Sequence, residues 1–328
     1  MNPPPSSQQD APMKTLPTTR AAHLAQPETT ETAWLIEGLW STEAVGIIGG
    51  EPKCGKSFLA LDLAIAVASG TPCLRRFPTR QSGSVLLYAA EDAWHIVRQR
   101  LEGIACAAGV TFESLNIHVI TVPTLRLDRA EHQQALQATV AHLQPKLLVL
   151  DPFVRLHAID ENVAGEVAPL LAYLRSLQRH YHTSVALVHH ARKGAAHERG
   201  GQALRGSSEL HAWGDSNLYL RRYGQNLYLN IEHRAAPGTD RLQLALRANP
   251  PALALEVVEL SPAERRDQGQ PSSQERIEQI LAQATSPVTQ RQLRKAARMR
   301  ASHVADILAQ LVASGRVSRS AEGYRLKS

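Results

Sequence analysis

The chain has 328 residues, 43% hydrophobic and 20% charged, a globular composition long enough for one α/β core and a small satellite domain. Its longest apolar run, Phe58 to Ala68, is broken by Asp62, which excludes a membrane-spanning helix of roughly 18 apolar residues. Cys54, Cys73 and Cys106 lack metal-ligand spacing and cannot all pair, which excludes a disulfide framework; the net charge of +6 acquires meaning only from where it lies.

Residues 1–30 are rich in Pro, Ser, Gln and Thr and poor in apolar side chains, so burial cannot offset the entropy of ordering and disorder is expected. The opening MNPPPSSQQDAPMKT has neither a basic start nor an apolar signal core, and a cytoplasmic protein is expected. Residues 31–260 form the main domain. There, short apolar runs alternate with longer amphipathic ones, the rhythm of a parallel sheet flanked by helices. The strands are AVGIIG, SVLLYAA, NIHVIT, KLLVLD and SVALVHH; the helices are Lys56 to Ser69, Ala93 to Ala108, Ala130 to Leu143 and Val163 to His182. NLYLRRYGQNLYLNIEH then alternates about a turn at Tyr223 to Asn226, an antiparallel hairpin that extends the sheet.

The segment 261–273 is polar and contains Pro and Gly without apolar periodicity, as a linker does. Residues 274–328 supply a helix from Gln274 to Ala284, a break at Pro287, a second helix from Thr289 to about Met299, and a third from Ser302 to Ser314. Gly315 ends the third, and RVSRSAEGYRLKS gives two short strands around a turn. Three helices and a hairpin is the winged-helix plan. From Ser272 onward ten basic residues face four acidic ones, so this tail carries the whole positive excess and points to a polyanionic partner.

Gly50, Glu51, Pro52, Lys53, Cys54, Gly55, Lys56 and Ser57 match G-x-x-x-x-G-K-[ST] between an apolar strand and an apolar-periodic helix that continues through Phe58. Such a loop wraps phosphates with backbone amides, Lys56 reaches the β and γ oxygens, and Ser57 ligates magnesium, so ATP and Mg2+ are the expected ligands. LLVLD delivers Asp151 at a strand tip as the second metal contact. Glu91, with Asp92, ends another strand at the same crevice. Two readings stand for Glu91: polariser of the attacking water, or a helix N-terminal acid favoured by the dipole. His189 and His190 end SVALVHH, where paired imidazoles beside a triphosphate could sense the γ-phosphate; a zinc site competes but lacks nearby cysteines.

The ordered motifs P-loop, YAAED, LLVLDPF, VHHARKGA and LRGSSEL together resemble the RepA-type hexameric plasmid replicative helicases and the wider RecA-like ATPases. The resemblance runs from about Trp34 to about His233. It implies an α/β RecA-like P-loop NTPase core with a mostly parallel sheet and antiparallel C-terminal strands, assembled as a homo-oligomer, a hexameric ring. It makes Glu91 similar to the family's catalytic glutamate, His190 to its phosphate-sensing histidine, and Arg205 to the arginine finger that enters a neighbouring subunit's site; read alone, Arg205 fits a mobile loop or an ordinary surface. The loops RLHAIDENVAG and ARKGAAHERGGQALRG would meet single-stranded DNA in the pore through Arg192, Lys193 and Arg199, or they carry solvated charges. Ile231-Glu232-His233-Arg234 departs from the family's later lysine and arginine, with Glu232 at the lysine's place and Arg234 left as a second trans contact.

The resemblance does not extend to the tail. There Arg291, Arg294, Lys295, Arg298 and Arg300, with Arg316 and Arg319 on the wing, would bind duplex phosphates, while a protein-docking winged helix is the competing reading. The expected function is an oligomeric DNA-dependent ATPase, a replicative helicase or DNA-remodelling motor of a plasmid or mobile element. The alternative is a nucleotide-switched DNA-binding regulator or loader without unwinding activity. A small-molecule P-loop kinase ranks last, since it lacks a lid and has no use for a basic winged helix.

Overall fold

A computed structural model describes residues 18–23, 33–190 and 208–258, and all of 277–326 except 279, 283, 285, 298, 300, 315, 321 and 322. The expected disorder of residues 1–30 falls mainly outside these, as does the linker at 261–273. The chain divides into two compact units, residues 1–258 and 259–328.

The first unit is built on a nine-stranded sheet. An antiparallel pair, β1 (Trp34–Ile36) and β2 (Trp40–Ser41), precedes it and buries Trp40 completely. The sheet contains β3 (Val45–Gly50), β4 (Val85–Ala89), β5 (Ile117–Val119), β6 (Leu147–Asp151), β7 (Ser184–His190), β8 (Ser216–Tyr223), β9 (Asn226–His233), β10 (Thr239–Asn249) and β11 (Ala252–Val257). Its order is β11-β10-β9-β8-β3-β7-β6-β4-β5. From β8 to β5 all neighbours are parallel, and β9, β10 and β11 extend the sheet antiparallel. This is the α/β class expected, with a second antiparallel hairpin, β10–β11, beyond the one legible in the sequence.

Four long helices cross between strands: α1 (Lys56–Ser69), α2 (Trp94–Ala107), α3 (Ala130–Leu143) and α4 (Ala164–Tyr181), followed by the short α5 (Ser208–Trp213). Strand side chains alternate between the two faces, and each face meets its own helices. On β6, Leu147 and Val149 join the core under α1 and α2, whereas Leu148 and Leu150 join the core under α3 and α4. Because both faces are covered, the central strands read as continuous apolar runs rather than alternating ones. Helix α1 packs against the central strands of the sheet and against its edge strand β11, and its residues from Leu59 to Val67 are all buried, including Asp62. Asp62 accepts hydrogen bonds from the Arg75 guanidinium, the Leu74 amide (2.7 Å) and the Cys73 thiol (3.3 Å), and Arg75 also donates to the Leu255 carbonyl at 3.2 Å.

In the second unit, residues 277, 278 and 280–282 are helical, and α6 (Gln290–Ala297) and α7 (Ala301–Ala313) follow. Thr289 and Gln292 cap α6 reciprocally: the Thr289 amide donates to Gln292 Oε1 at 2.8 Å and the Gln292 amide to Thr289 Oγ1 at 3.3 Å. Strands β12 (Val317–Ser320) and β13 (Gly323–Leu326) form an antiparallel hairpin, and Val288 bridges to Tyr324 on it. Ile277, Leu281, Leu293, Val304, Leu308, Leu311 and Val317 make this unit's own core. Among the described residues no helix is long and apolar enough to cross a membrane.

Candidate nucleotide site at the sheet edge

Parallel strands deliver all their C-terminal ends to one edge of the sheet. Gly50 at the end of β3 is in register with His190 at the end of β7, and Ala89 at the end of β4 with Asp151 at the end of β6. The turn from β3 into α1 needs its glycines. A Cβ on Gly50 would lie 2.5 Å from the Leu220 carbonyl oxygen and 2.7 Å from Cys54 Sγ, and Gly55 sits at φ +93°, where an L side chain is strained.

No side chain caps the start of α1. The positive end of its dipole opens on a cleft of about 380 Å3 lined by Gly55, Lys56 and Ser57, and of its first amides that of Lys56 turns to the Cys54 sulfur. Lys56 is buried at the base of this cleft, and its ammonium donates to the Gly50 carbonyl at 3.0 Å and the Glu51 carbonyl at 2.7 Å. Burial lowers the Lys56 pKa, against the attraction of Cys54, Asp151, Glu91 and Glu51. Cys54 fills the loop interior, and burial raises its thiol pKa. The neighbouring loop residues Lys53, Cys54, Gly55 and Ser57 line the cleft with Phe58, whose ring lies 5.3 Å from the Arg100 guanidinium.

Asp151 closes the opposite wall. Burial pushes its carboxyl up to about 6, although the Ser57 hydroxyl donates to it and Lys56 lies near; the Asp92 and Glu91 charges push the same way as burial. A buried carboxylate beside a serine hydroxyl fits magnesium, which takes one or two protein oxygens and completes its shell with phosphates and water. Ser57 and Asp151 are the residues that would hold it. Among the described residues no three His, Cys, Asp or Glu cluster as an all-protein metal centre, so the competing zinc site at His189 and His190 finds no support there.

Glu91 and Asp92 both line the cleft. Each is paired: Asp92 with Arg100, and Glu91 Oε1 with Arg155 Nε at 2.9 Å. The two histidines of β7, read together from the sequence, separate here. Strand parity sends His190 with Ala186 and Val188 toward the α1 face, where it lines the cleft, and burial followed by the Lys56 charge lowers its pKa. His189 turns to the other face, buried, with its Nε2 3.2 Å from Glu161 Oε2 and its ring 6.0 Å from Phe153. His157 approaches the same carboxylate at 3.4 Å. Burial alone would raise the Glu161 pKa, but hydrogen bonds from His157 and His189 and their charge hold it at about 2. His189 is therefore not a phosphate neighbour, and the alternation of SVALVHH already contained that distinction.

The sequence reading also missed the far wall of the cleft. Arg222 of β8, Leu227 of β9, Leu246 of β10 and Leu255 of β11 line it. These come from the antiparallel extension, and only the three-dimensional curl of the sheet brings them over α1.

Arg192, Lys193, Arg199 and Arg205 lie outside the described residues, as do Arg298 and Arg300. Arg291, Arg294 and Lys295 are exposed on α6. Arg316 reaches Glu278 at 3.1 Å, and the Arg319 guanidinium stands 5.9 Å from the Tyr324 ring. Arg234, expected as a second trans contact, is engaged within its own chain: it donates to the Ala212 carbonyl at 2.5 Å and lies 3.3 Å from Asp215. Glu232, at the place of the family's lysine, stands 3.9 Å from His211.

The profile of a family described as an AAA domain matches residues 9–196, more than half of the chain. Among solved structures, one ATPase domain is similar at TM-score 0.50 and 16% identity, covering 65% of this chain and 85% of that one. A KaiC-like protein from the hyperthermophilic archaeon Pyrococcus horikoshii OT3 is similar at TM-score 0.47 and 14% identity, covering 69% of this chain and 94% of that one. The likeness to the solved ATPase domain is one of fold.

Proposed function

The chain belongs to the AAA domain family, and on that premise we propose that it is an oligomeric ATPase stimulated by DNA, a RepA-type helicase or DNA-remodelling motor of a plasmid or mobile element. The observation that carries this reading is the convergence of Lys56, Ser57, Glu91, Asp151 and His190 on one cleft beside an uncapped helix N-terminus. In this reading the loop amides and Lys56 bind the β- and γ-phosphates, and Lys56 exchanges its contacts with the Gly50 and Glu51 carbonyls for phosphate oxygens. Ser57 and Asp151 would hold magnesium, which would supply neutralisation of the phosphate charge. Glu91 orients a water for attack in line with the departing diphosphate and accepts its proton. His190 touches the γ-phosphate, and β7 carries the consequence of its loss to the segment that follows.

Arg205 would complete a neighbouring subunit's site, so the active form is a homo-oligomer, a hexameric ring by the family resemblance. Arg192, Lys193 and Arg199 would meet single-stranded DNA in its pore. Residues 31–260 are the ATPase domain in this plan, 261–273 the linker, and 274–328 a winged helix whose exposed Arg291, Arg294, Lys295 and Arg319 bind duplex phosphates with Arg298, Arg300 and Arg316. Support comes from the three helical segments and hairpin of the second unit and from the positive charge concentrated there. Measuring ATP turnover against protein concentration, with and without single-stranded DNA, tests the proposal. Specific activity should rise with concentration and with DNA, and Arg205→Ala should abolish turnover while nucleotide still binds; a rate independent of both overturns it.

The ion pair between Glu91 and Arg155 favours a second reading, a nucleotide-switched DNA-binding regulator or loader that hydrolyses slowly because its water-polarising carboxylate is occupied. Strand displacement separates the two. ATP-dependent unwinding removes the regulator, and tight duplex binding without unwinding removes the motor.

A further inference from the structure

At its tip β7 loses one of its two neighbours. The ladder to β6 stops at Leu150 opposite Leu187, and the chain beyond β6 turns into the helical segment Phe153–Arg155; the ladder to β3 runs on to His189 and His190. The residues opposite them on β3 are Gly49 and Gly50, which offer no side chain to pack against a ring. The His190 Nδ1 is buried without a hydrogen-bond partner among the described residues. The direction in which His190 enters the nucleotide cleft therefore depends on the strand tip that carries it.

One side chain takes the place of the missing ladder. Glu161 Oε2 lies 3.2 Å from His189 Nε2, and since His189 Nδ1 also lacks a partner this is the one polar tie of that ring among the described residues. Glu161 Oε1 lies 3.4 Å from His157 Nε2, so one carboxylate stands between two imidazoles whose side chains are each 2% exposed. Both rings also meet Phe153, at centroid distances of 4.4 and 6.0 Å. The carboxylate has a firm base. It sits on the turn into α4, where the Asp160 amide donates to Glu166 Oε2 at 2.8 Å and the Asn162 amide to Asp160 Oδ1 at 2.9 Å. Val167, Leu170 and Leu174 root that helix in the core. A contact to a charged oxygen away from water is stronger than a neutral one, so this tie can hold a strand end that has lost a neighbour.

We propose that Glu161 is a positioning residue for the hydrolytic step: by tying His189 to the start of α4 it fixes the tip of β7 and so aims His190 at the γ-phosphate. The inference rests on the ATPase reading above, in which His190 touches that phosphate. Glu161 meets His189 on the sheet face turned away from the cleft, and it acts through the strand between them. His157 steadies the second oxygen of the same carboxylate.

The test measures kcat and KM of Mg-ATP on the full chain with saturating oligo(dT). The variants are Glu161→Gln and His190→Ala, with Glu161→Ala and His189→Leu each made alone and in combination with His190→Ala. We expect Glu161→Ala to lower kcat about ten- to hundredfold while KM stays within about threefold, as for a reacting group held out of place. Glu161→Gln keeps an oxygen for His189 and should recover most of the rate. His189→Leu cuts the same tie from the other end and should lose as much, so it carries the test where Glu161→Ala does not fold. Each double variant should be no slower than His190→Ala alone, because the aim has no value without the group that is aimed. Losses that multiply in the double variants, or single variants at the wild-type kcat, overturn the proposal. A wild type that does not bind Mg-ATP sinks the ATPase reading itself. Binding and turnover by the wild type, with kcat unchanged in His190→Ala, sinks only the parts given to His190 and Glu161.

Discussion

Asp151 should destabilise the nucleotide-free protein, and Asp151→Asn should therefore stabilise it. The carboxyl is buried, and burial moves its pKa from 3.8 to about 6. Between those two values the unfolded chain has ionised Asp151 while the folded protein still holds the proton. The folded state binds more protons there, so stability falls as pH rises from about 4 to about 6 and levels off above. At about 1.4 kcal/mol per pH unit the whole penalty is roughly 3 kcal/mol. An asparagine keeps an oxygen that can accept from the Ser57 hydroxyl and carries no charge. The attraction to Lys56 is already contained in that shift, but the buried amide NH2 needs an acceptor of its own, which lowers the expected gain at pH 8 to about 1–3 kcal/mol.

For a unit of this size that corresponds to a rise in Tm of roughly 2–4 °C per kcal/mol. The assay is thermal unfolding of the wild type and Asp151→Asn in EDTA at pH 5, 6, 7 and 8. The two curves should meet toward pH 4 and separate toward pH 8, with the variant higher. Saturating Mg-ATP should reverse the order, because at 100 times Kd a ligand adds about 2.7 kcal/mol to the wild type and the variant has lost a metal oxygen. A variant less stable than the wild type at pH 8, or a difference that does not change with pH, would refute the reasoning.

Two further outcomes follow from the same geometry. Glu91→Gln should leave Mg-ATP affinity within a few-fold and lower kcat by about 100-fold or more, since the amide orients water but takes no proton; equilibrium binding and steady-state turnover together check it. Arg75→Ala strands the Asp62 carboxylate in the core under α1 with only the Leu74 amide and the Cys73 thiol as donors, and should cost about 3 kcal/mol in urea unfolding at pH 7, less at pH 4 as Asp62 takes up a proton.

The elements that needed only local chemistry were legible in the sequence. Helices α1 and α3 begin and end where expected, Lys56 to Ser69 and Ala130 to Leu143, because a glycine turn precedes the first and a strong apolar strand follows the second. The phosphate loop was legible because its glycines answer to steric demands that few sequences meet. His189 and His190 show a reading that stopped too early: alternation along β7 already assigns them to opposite faces, and only His190 shares the face of Lys56. What lay beyond the sequence were placements fixed by long-range packing. Neither Arg155 against Glu91, 64 positions apart, nor Arg75 between Asp62 and the Leu255 carbonyl carries a local signal. The hairpin β10–β11 was passed over although Leu242, Leu244 and Leu246 alternate with Arg241, Gln243 and Arg247; the pair Pro250–Pro251 stands at its turn, and packing on α1 decides its place.

Calorimetric titration of Mg-ATP into the wild type and Lys56→Ala bears most directly on the account. Magnesium-dependent binding by the wild type, with affinity reduced at least tenfold by loss of the ammonium, is the predicted outcome. Equal binding by both proteins, or none by either, would mean that the turn between β3 and α1 does not hold a triphosphate.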